Sequence, residues 1–143
     1  MTQASPGVIE SSSQAVKALC ARFDDAYWLS RDRDGAFPEA FHRAVAEAGW
    51  LGIAMPEDVG GAGLGATEAA AMMQTIAASG AGFSGASAVH INIFGLEPVV
   101  RFGTEELQQR SIPNIVTGTD KAINLVDVAK ATYAPMGPIA GKF

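Results

Sequence analysis

The stretch "PEDVGGAGLGATEAAAMMQTIA" occupies residues 56–77. Glycines 60, 61, 63 and 65 crowd into six positions, and an alanine- and methionine-rich run follows. A glycine-rich loop leading into a helix has two readings. Its bare amides can hold a phosphate at the positive end of the helix, or its freedom of backbone angle can turn one piece of chain into the next. A dinucleotide fingerprint needs G-x-G-x-x-G, whereas Gly61-Ala62-Gly63-Leu64-Gly65 is one residue short. A P-loop needs Lys then Ser or Thr after its last glycine, and Ala66 and Thr67 stand there instead. The loop reads as a corner. Thr67 is placed to cap the helix beyond it, and Glu68 suits the positive end of its dipole. That helix, residues 68–79, is apolar nearly all round and is expected to be central, covered on most sides.

The periodicity on either side is helical. Val16, Leu19, Cys20, Phe23 and Tyr27 recur at the spacing of one helix face, after a loose tail over residues 1–12, and the polar run 30–35 ends that helix. Pro38 suits the first turn of a second helix. Phe41, Ala44, Val45 and Ala48 form its stripe until Gly49, which makes a helical hairpin. Residues 50–55 are short, apolar and stopped by Pro56, and read as an extended connector. Residues 79–85 are small and turn-like, and 86–102 helical, with Pro98 restarting the helix after Gly95. Thr104 caps a short helix over 105–110, and 113–118 is a loop. Residues 121–128 offer a possible strand, and an irregular tail runs to 143. The fold class is mainly α, a multi-helix domain over 13–120, with 121–143 an incomplete start of a further domain or an unrelated tail.

Composition narrows the chemistry. A chain of 143 residues, 48% apolar and 17% charged, forms one domain with a real core. A net charge of −5, with the ten Lys and Arg scattered singly, excludes a basic face for nucleic acid or a polybasic membrane anchor. No apolar run reaches the length of a membrane span, and residues 1–16 carry neither a secretory nor a transit signal. The one cysteine, Cys20, reads as a buried apolar residue, which fits a reduced, cytoplasmic setting. His42 and His90 lie far apart, with His42 expected near the solvent edge of its helix. Asp24, Asp25, Asp32 and Asp34 lack calcium-loop spacing, so no metal is expected. No serine has a nucleophile-elbow context, and Glu105 and Glu106 open a helix. No complete catalytic set is present. His90 and Phe94, one helical turn apart beside the small segment 80–88, mark the one place where a ligand could come close.

Two longer motifs carry a family resemblance: "GWLGIAMPEDVGGAGLG" (49–65) and "HINIFGLEPVVRFGTEELQQRSIPNIVTGTDKA" (90–122). Their order and separation, with P-x-x-x-F-G-T-E-E at 98–106 and P-x-x-x-x-G at 113–118, resemble the amino-terminal helical domain of acyl-CoA dehydrogenases over residues 15–122. The resemblance implies an FAD-linked oxidoreductase acting on an acyl-CoA thioester. In that family a middle β-domain and a carboxy-terminal helical bundle follow, the bundle supplies the glutamate that removes the α-proton, and the flavin takes the β-hydride. The family's next motif, roughly K-A-C-x-x-V-T-E-P, is met at Lys121, Ala122 and Val126, while Asp127, Val128 and Ala129 replace its Thr-Glu-Pro. The resemblance also implies that Ala86, His90, Ile91 and Phe94 line the far end of the acyl cavity, with His90 shortening or polarising it. The expectation is therefore a fragment of an FAD-dependent acyl-CoA dehydrogenase, without a catalytic residue of its own, inactive alone, and prone to homo-oligomerise through exposed apolar faces. The alternative is a non-enzymatic helical interaction or assembly module derived from that family. A stand-alone dinucleotide binder rests only on the defective glycine pattern.

Overall fold

The computed structural model describes residues 6–119. Its first helix, α1 (Pro6–Cys20), opens on a proline, which lacks only an amide that the first turn leaves unpaired anyway. Helix therefore reaches back over residues 6–12, which the serine-rich sequence suggested were loose. The helix expected to run on to Tyr27 breaks after Cys20, because Asp24 takes a cap position and its carboxylate accepts from the Tyr27 amide at 2.9 Å. That starts α2 (Asp25–Asp34), which carries the polar run 30–34 and stops at Gly35 in the left-handed region. Phe23 and Tyr27 still face the core from either side of the break. Phe23 meets the Phe41 ring edge-on at 5.4 Å, and the Tyr27 hydroxyl accepts from the Phe41 amide. Phe41 itself sits on α3 (Glu39–Glu47) and is fully buried.

Residues 50–55 are not extended. They form a tight 3₁₀ turn at Trp50–Gly52 and a further turn, with a second 3₁₀ turn at Glu57–Val59. Their apolar character comes from burial: Leu51, Ile53 and Met55 are enclosed in the core. The glycine corner folds back onto this segment. Gly63 takes φ 64°, and a Cβ on Gly61 would collide with the Met55 carbonyl. These positions therefore take glycine for reasons of backbone angle and close approach.

The corner delivers the chain into α4 (Ala66–Ile76). Gly65 occupies the cap and Glu68 reaches back to its amide at 2.8 Å, so Thr67 lies inside the first turn and is not the cap. Only one face of α4 is covered. Ala69, Met72 and Ile76 are buried and pack with α1, while Ala70 and Gln74 face solvent. The expectation of a helix enclosed on most sides overread its alanines, whose small side chains count as apolar yet expose little surface.

A wide turn at Ala77–Ala81, kinked at Gly80 (φ 92°), leads to α5 (Gly82–Phe94), which starts inside the stretch expected to be a turn. Gly85 brings α5 close to α2, since a Cβ there would lie 3.1 Å from the Trp28 indole. α6 (Glu97–Phe102) carries Pro98 in its first turn, as the sequence suggested. α7 (Glu105–Val116) is capped by Thr104, whose hydroxyl accepts from the Leu107 amide. It runs well past residue 110 and through Pro113. The proline removes one backbone bond, but Ile112, Ile115 and Val116 beyond and before it join Leu107, Met55 and Leu96 in a second apolar cluster, and that burial outweighs the loss. The larger first cluster lies between α1, α3, α4 and α5. Among the described residues there is helix and no strand. The possible strand at 121–128 and the irregular tail lie outside them.

Candidate functional site

The glycine corner can be tested as an anion site amide by amide. Gly60 donates to the Glu57 carbonyl, Gly61 to Pro56, Ala62 to Gly52, Gly63 to Met55 and Leu64 to Ile53, at 2.8–3.0 Å. The Gly65 amide goes to the Glu68 carboxylate. Six consecutive donors are bound within the chain, and a carboxylate already occupies the positive end of α4. A phosphate would have to displace internal bonds and meet a negative charge. The corner is structural.

The outer face of α5 is the opposite case. Its inner side packs Gly85, Ala88, Val89, Asn92 and Ile93 against the core. The helical repeat then turns Phe83, Ser87 and His90 outward along one line, with Phe94 at its end packed in part against the core. Phe83 is 86% exposed and His90 is exposed, with its ring 5.3 Å from that of Phe94. Ala86, His90 and Phe94 share this face at four-residue spacing, with Ala86 and Phe94 half-buried. Ile91, 40% exposed, lies to one flank. Three of the four residues singled out from the sequence are thus brought together, and the fourth borders them.

At the amino-terminal end of this face a pocket of about 510 Å³ opens between α5 and the α2–α3 joint. Its walls include Phe37, Pro38, Phe83 and Ser87, with Arg31 and Asp32 at its polar edge, where the Ser84 hydroxyl donates to Asp32 at 3.2 Å. Sequence reasoning did not reach Phe83 or this pocket. Phe83 stands seven residues before His90 within a run of small residues, so extending the stripe one more turn would have found it.

His42 corrects an expectation. It is 1% exposed, not at the solvent edge. Its Nε2 lies 2.6 Å from Nδ2 of Asn92, equally buried on α5, and its ring meets that of Phe37 at 5.4 Å. The polar Asn92 inside the run Ile91-Asn92-Ile93 was the available signal. Cys20 is buried. Burial pushes its thiol above the ordinary value, partly offset by a hydrogen bond with Ser79. Among the described residues no group of three His, Cys, Asp or Glu is placed to hold a metal ion, and no helix is long and apolar enough to cross a membrane.

The model of the acyl-CoA dehydrogenase amino-terminal domain matches residues 10–119. The chain belongs to the acyl-CoA dehydrogenase family. Among its relatives is the mitochondrial isobutyryl-CoA dehydrogenase of Dictyostelium discoideum, 31% identical over 86 residues, covering 60% of this chain and 20% of that protein. An acyl-CoA dehydrogenase of Mycobacterium tuberculosis is 28% identical over 106 residues, covering 74% and 27%. A probable acyl-CoA dehydrogenase of Bacillus subtilis is 33% identical over 90 residues, covering 62% and 23%. The chain therefore spans about a quarter or less of the length of these relatives. No solved structure gives a significant match. The family is generally FAD-dependent, but the described residues do not fit a flavin nucleotide at the corner, because every amide from 60 to 65 is already bound within the chain.

Proposed function

We propose that this chain is the amino-terminal helical part of an FAD-dependent acyl-CoA dehydrogenase that oxidises an acyl-CoA thioester between its α- and β-carbons. The observation that carries this reading is the family match over residues 10–119, joined to a helix, α5, whose outer face is left exposed among the described residues. In this reading Ala86, His90, Ile91 and Phe94 border the acyl group, and the His90 imidazole limits the length of an unbranched alkyl chain or meets a polar group on it. The base and the flavin site are assigned to residues outside 6–119. Among the described acids only Glu68 is buried, and one of its oxygens is taken by the Gly65 amide. The 143 residues alone are accordingly read as inactive. We also read the apolar face of α5 as the surface through which the chain associates, with itself or with further domains, and the compartment as cytoplasmic. The alternative role, a helical assembly module without activity, is favoured by the same exposed face.

A chimera decides between them. Residues 10–119 would replace the matching segment of the Bacillus subtilis relative, and acyl-CoA-dependent reduction of an electron acceptor would be measured. Activity that shifts its chain-length preference on His90→Ala supports the enzymatic reading. A folded, flavin-loaded chimera without turnover on any acyl-CoA would point to the assembly module.

A further inference from the structure

The seam between α3 and α5 holds a polar atom that nothing in residues 6–119 serves. Asn92 on α5 meets the His42 ring on α3 at 2.6 Å, and both residues are 1% exposed. The other end of the Asn92 amide, Oδ1, is buried and has no hydrogen-bond partner among the described residues. A buried acceptor without a donor keeps the full cost of leaving water, so folded chains rarely carry one. The seam calls for a donor.

α7 delivers the chain to that place. Gly118 takes φ 70°, its amide donates to the Ile115 carbonyl at 3.0 Å, and the Thr119 amide donates to Asn114 at 2.9 Å. This turn lays the backbone directly on α3. A Cβ on Gly118 would lie 2.6 Å from the Ala46 methyl and 3.9 Å from Cε1 of His42. Glu39, His42 and Ala46 follow one another along one side of α3. At about 1.5 Å per residue, His42 lies about 6 Å from Ala46 along the helix axis and Glu39 about 10 Å. An extended chain advances about 3.3 Å per residue. Running back along α3 from Gly118, it brings Asp120 level with His42 and Asn92, and Lys121 level with the Glu39 carboxylate. Just beyond Glu39, the Phe37 ring is 43% exposed and lies 5.4 Å from the His42 ring. Ile123, two residues past Lys121, comes level with that ring.

We infer that residues 120–123 dock along this side of α3. A backbone amide at 120 or 121 donates to Oδ1 of Asn92, the Lys121 ammonium meets the Glu39 carboxylate, and Ile123 covers the Phe37 ring. Solvent alone would serve Oδ1 and leave that ring wet. The chain's own next residues bring a donor, a cation and an apolar side chain in the order in which α3 presents their partners. The docked segment stops at the Phe37 rim and leaves the outer face of α5 open. The docking does not rest on the acyl-CoA reading of that face, and its test contains no substrate.

The test is paramagnetic NMR on the 143-residue chain, with Cys20→Ala removing its one thiol and a nitroxide carried on Asn124→Cys. In the docked chain the label sits at the amino-terminal end of α3, and the amides of Phe37 and Ala40 are relaxed at least threefold more strongly than that of Glu47 at the other end. A segment tethered at Gly118 but undocked hangs nearest Ala46, so equal relaxation, or a bias toward Glu47, overturns the proposal. Lys121→Glu lowers the ratio, and combining it with Glu39→Lys restores it. Failure of either step also overturns the proposal. If the Cys20→Ala background does not fold, hydrogen exchange on the native chain decides. An amide at 120 or 121 is then protected tenfold or more relative to an unstructured peptide, and free exchange at both overturns the docking.

Discussion

The glycine corner and the outer face of α5 differ in how completely they are engaged. At the corner every amide from 60 to 65 is bound within the chain, and a Cβ on Gly61 has no room. On α5, Phe83, His90 and Ile91 stand in solvent beside an open pocket. The corner advertises a ligand in its composition and offers none of its donors. The helix face has no glycine-rich or otherwise unusual composition and leaves its groups available. Which groups remain unpaired, and not how unusual the local composition is, separates a scaffold from a site.

The sharpest way to break this contrast is at the corner. Gly61→Ala drives a methyl into the Met55 carbonyl, and neighbouring backbone has to move. The expected loss is about 3 kcal/mol in urea unfolding. A loss under about 0.5 kcal/mol would show that the corner is slack. A smaller effect is expected at its exit. Glu68→Ala frees the Gly65 amide and costs about 1–2 kcal/mol, whereas Glu68→Gln keeps an acceptor and costs less. Equal costs for the two would remove the cap from the account.

The titration of Cys20 marks how far the closed side extends. Its thiol is held above its ordinary value in the folded chain, so the folded state keeps a proton that the unfolded state releases. That stabilisation is complete below the unfolded thiol's value and fades as pH rises toward the folded one. Thermal melts from roughly pH 8 to 10.5, the range in which an ordinary thiol titrates, should show a decline that Cys20→Ala diminishes. An identical decline in both proteins would assign it to other groups. The least effect on stability is expected on the open side. Phe83→Ser, at a side chain 86% exposed, changes unfolding free energy by less than about 0.5 kcal/mol but lowers binding of an apolar dye. A large loss of stability would mean that Phe83 has a partner in the folded chain.

Much of this fold could be read in the sequence because helical periodicity survives local changes of course. The stripe from Val16 to Tyr27 identified the inward residues correctly although α1 ends at Cys20, since Phe23 and Tyr27 return to the same core. Caps were less legible. Thr67 and Gly65 both suit a cap, and the choice was made by where the corner could close its hydrogen bonds. Residues 113–118 were expected to be a loop after a helix ending near 110, because sequence shows the bond that Pro113 removes and not the long-range burial of Ile112 and Val116 that retains the turn. His42 was assigned to the edge through its neighbour Arg43, yet a partner fifty positions away on α5 draws it inward. For the site, the pairing of His90 with Phe94 followed from helix spacing, whereas Ala86 and Ile91 came from the family resemblance. The pocket beside it needed the α2–α3 joint to be placed next to α5, which no local pattern specifies.

The contact of Gly85 with Trp28 gives the molecule an optical gauge. Trp28 is 7% exposed, wedged between the Phe41 ring at 5.0 Å and the α5 backbone, while Trp50 is only half-buried. The short-wavelength part of the native emission should therefore come from Trp28 alone. Lifting α5 from its seat would wet that indole and move its emission to the red, and a partner that presses the helix home would leave it unshifted. The seating of the candidate site's own helix can thus be followed in dilute solution without attaching any label.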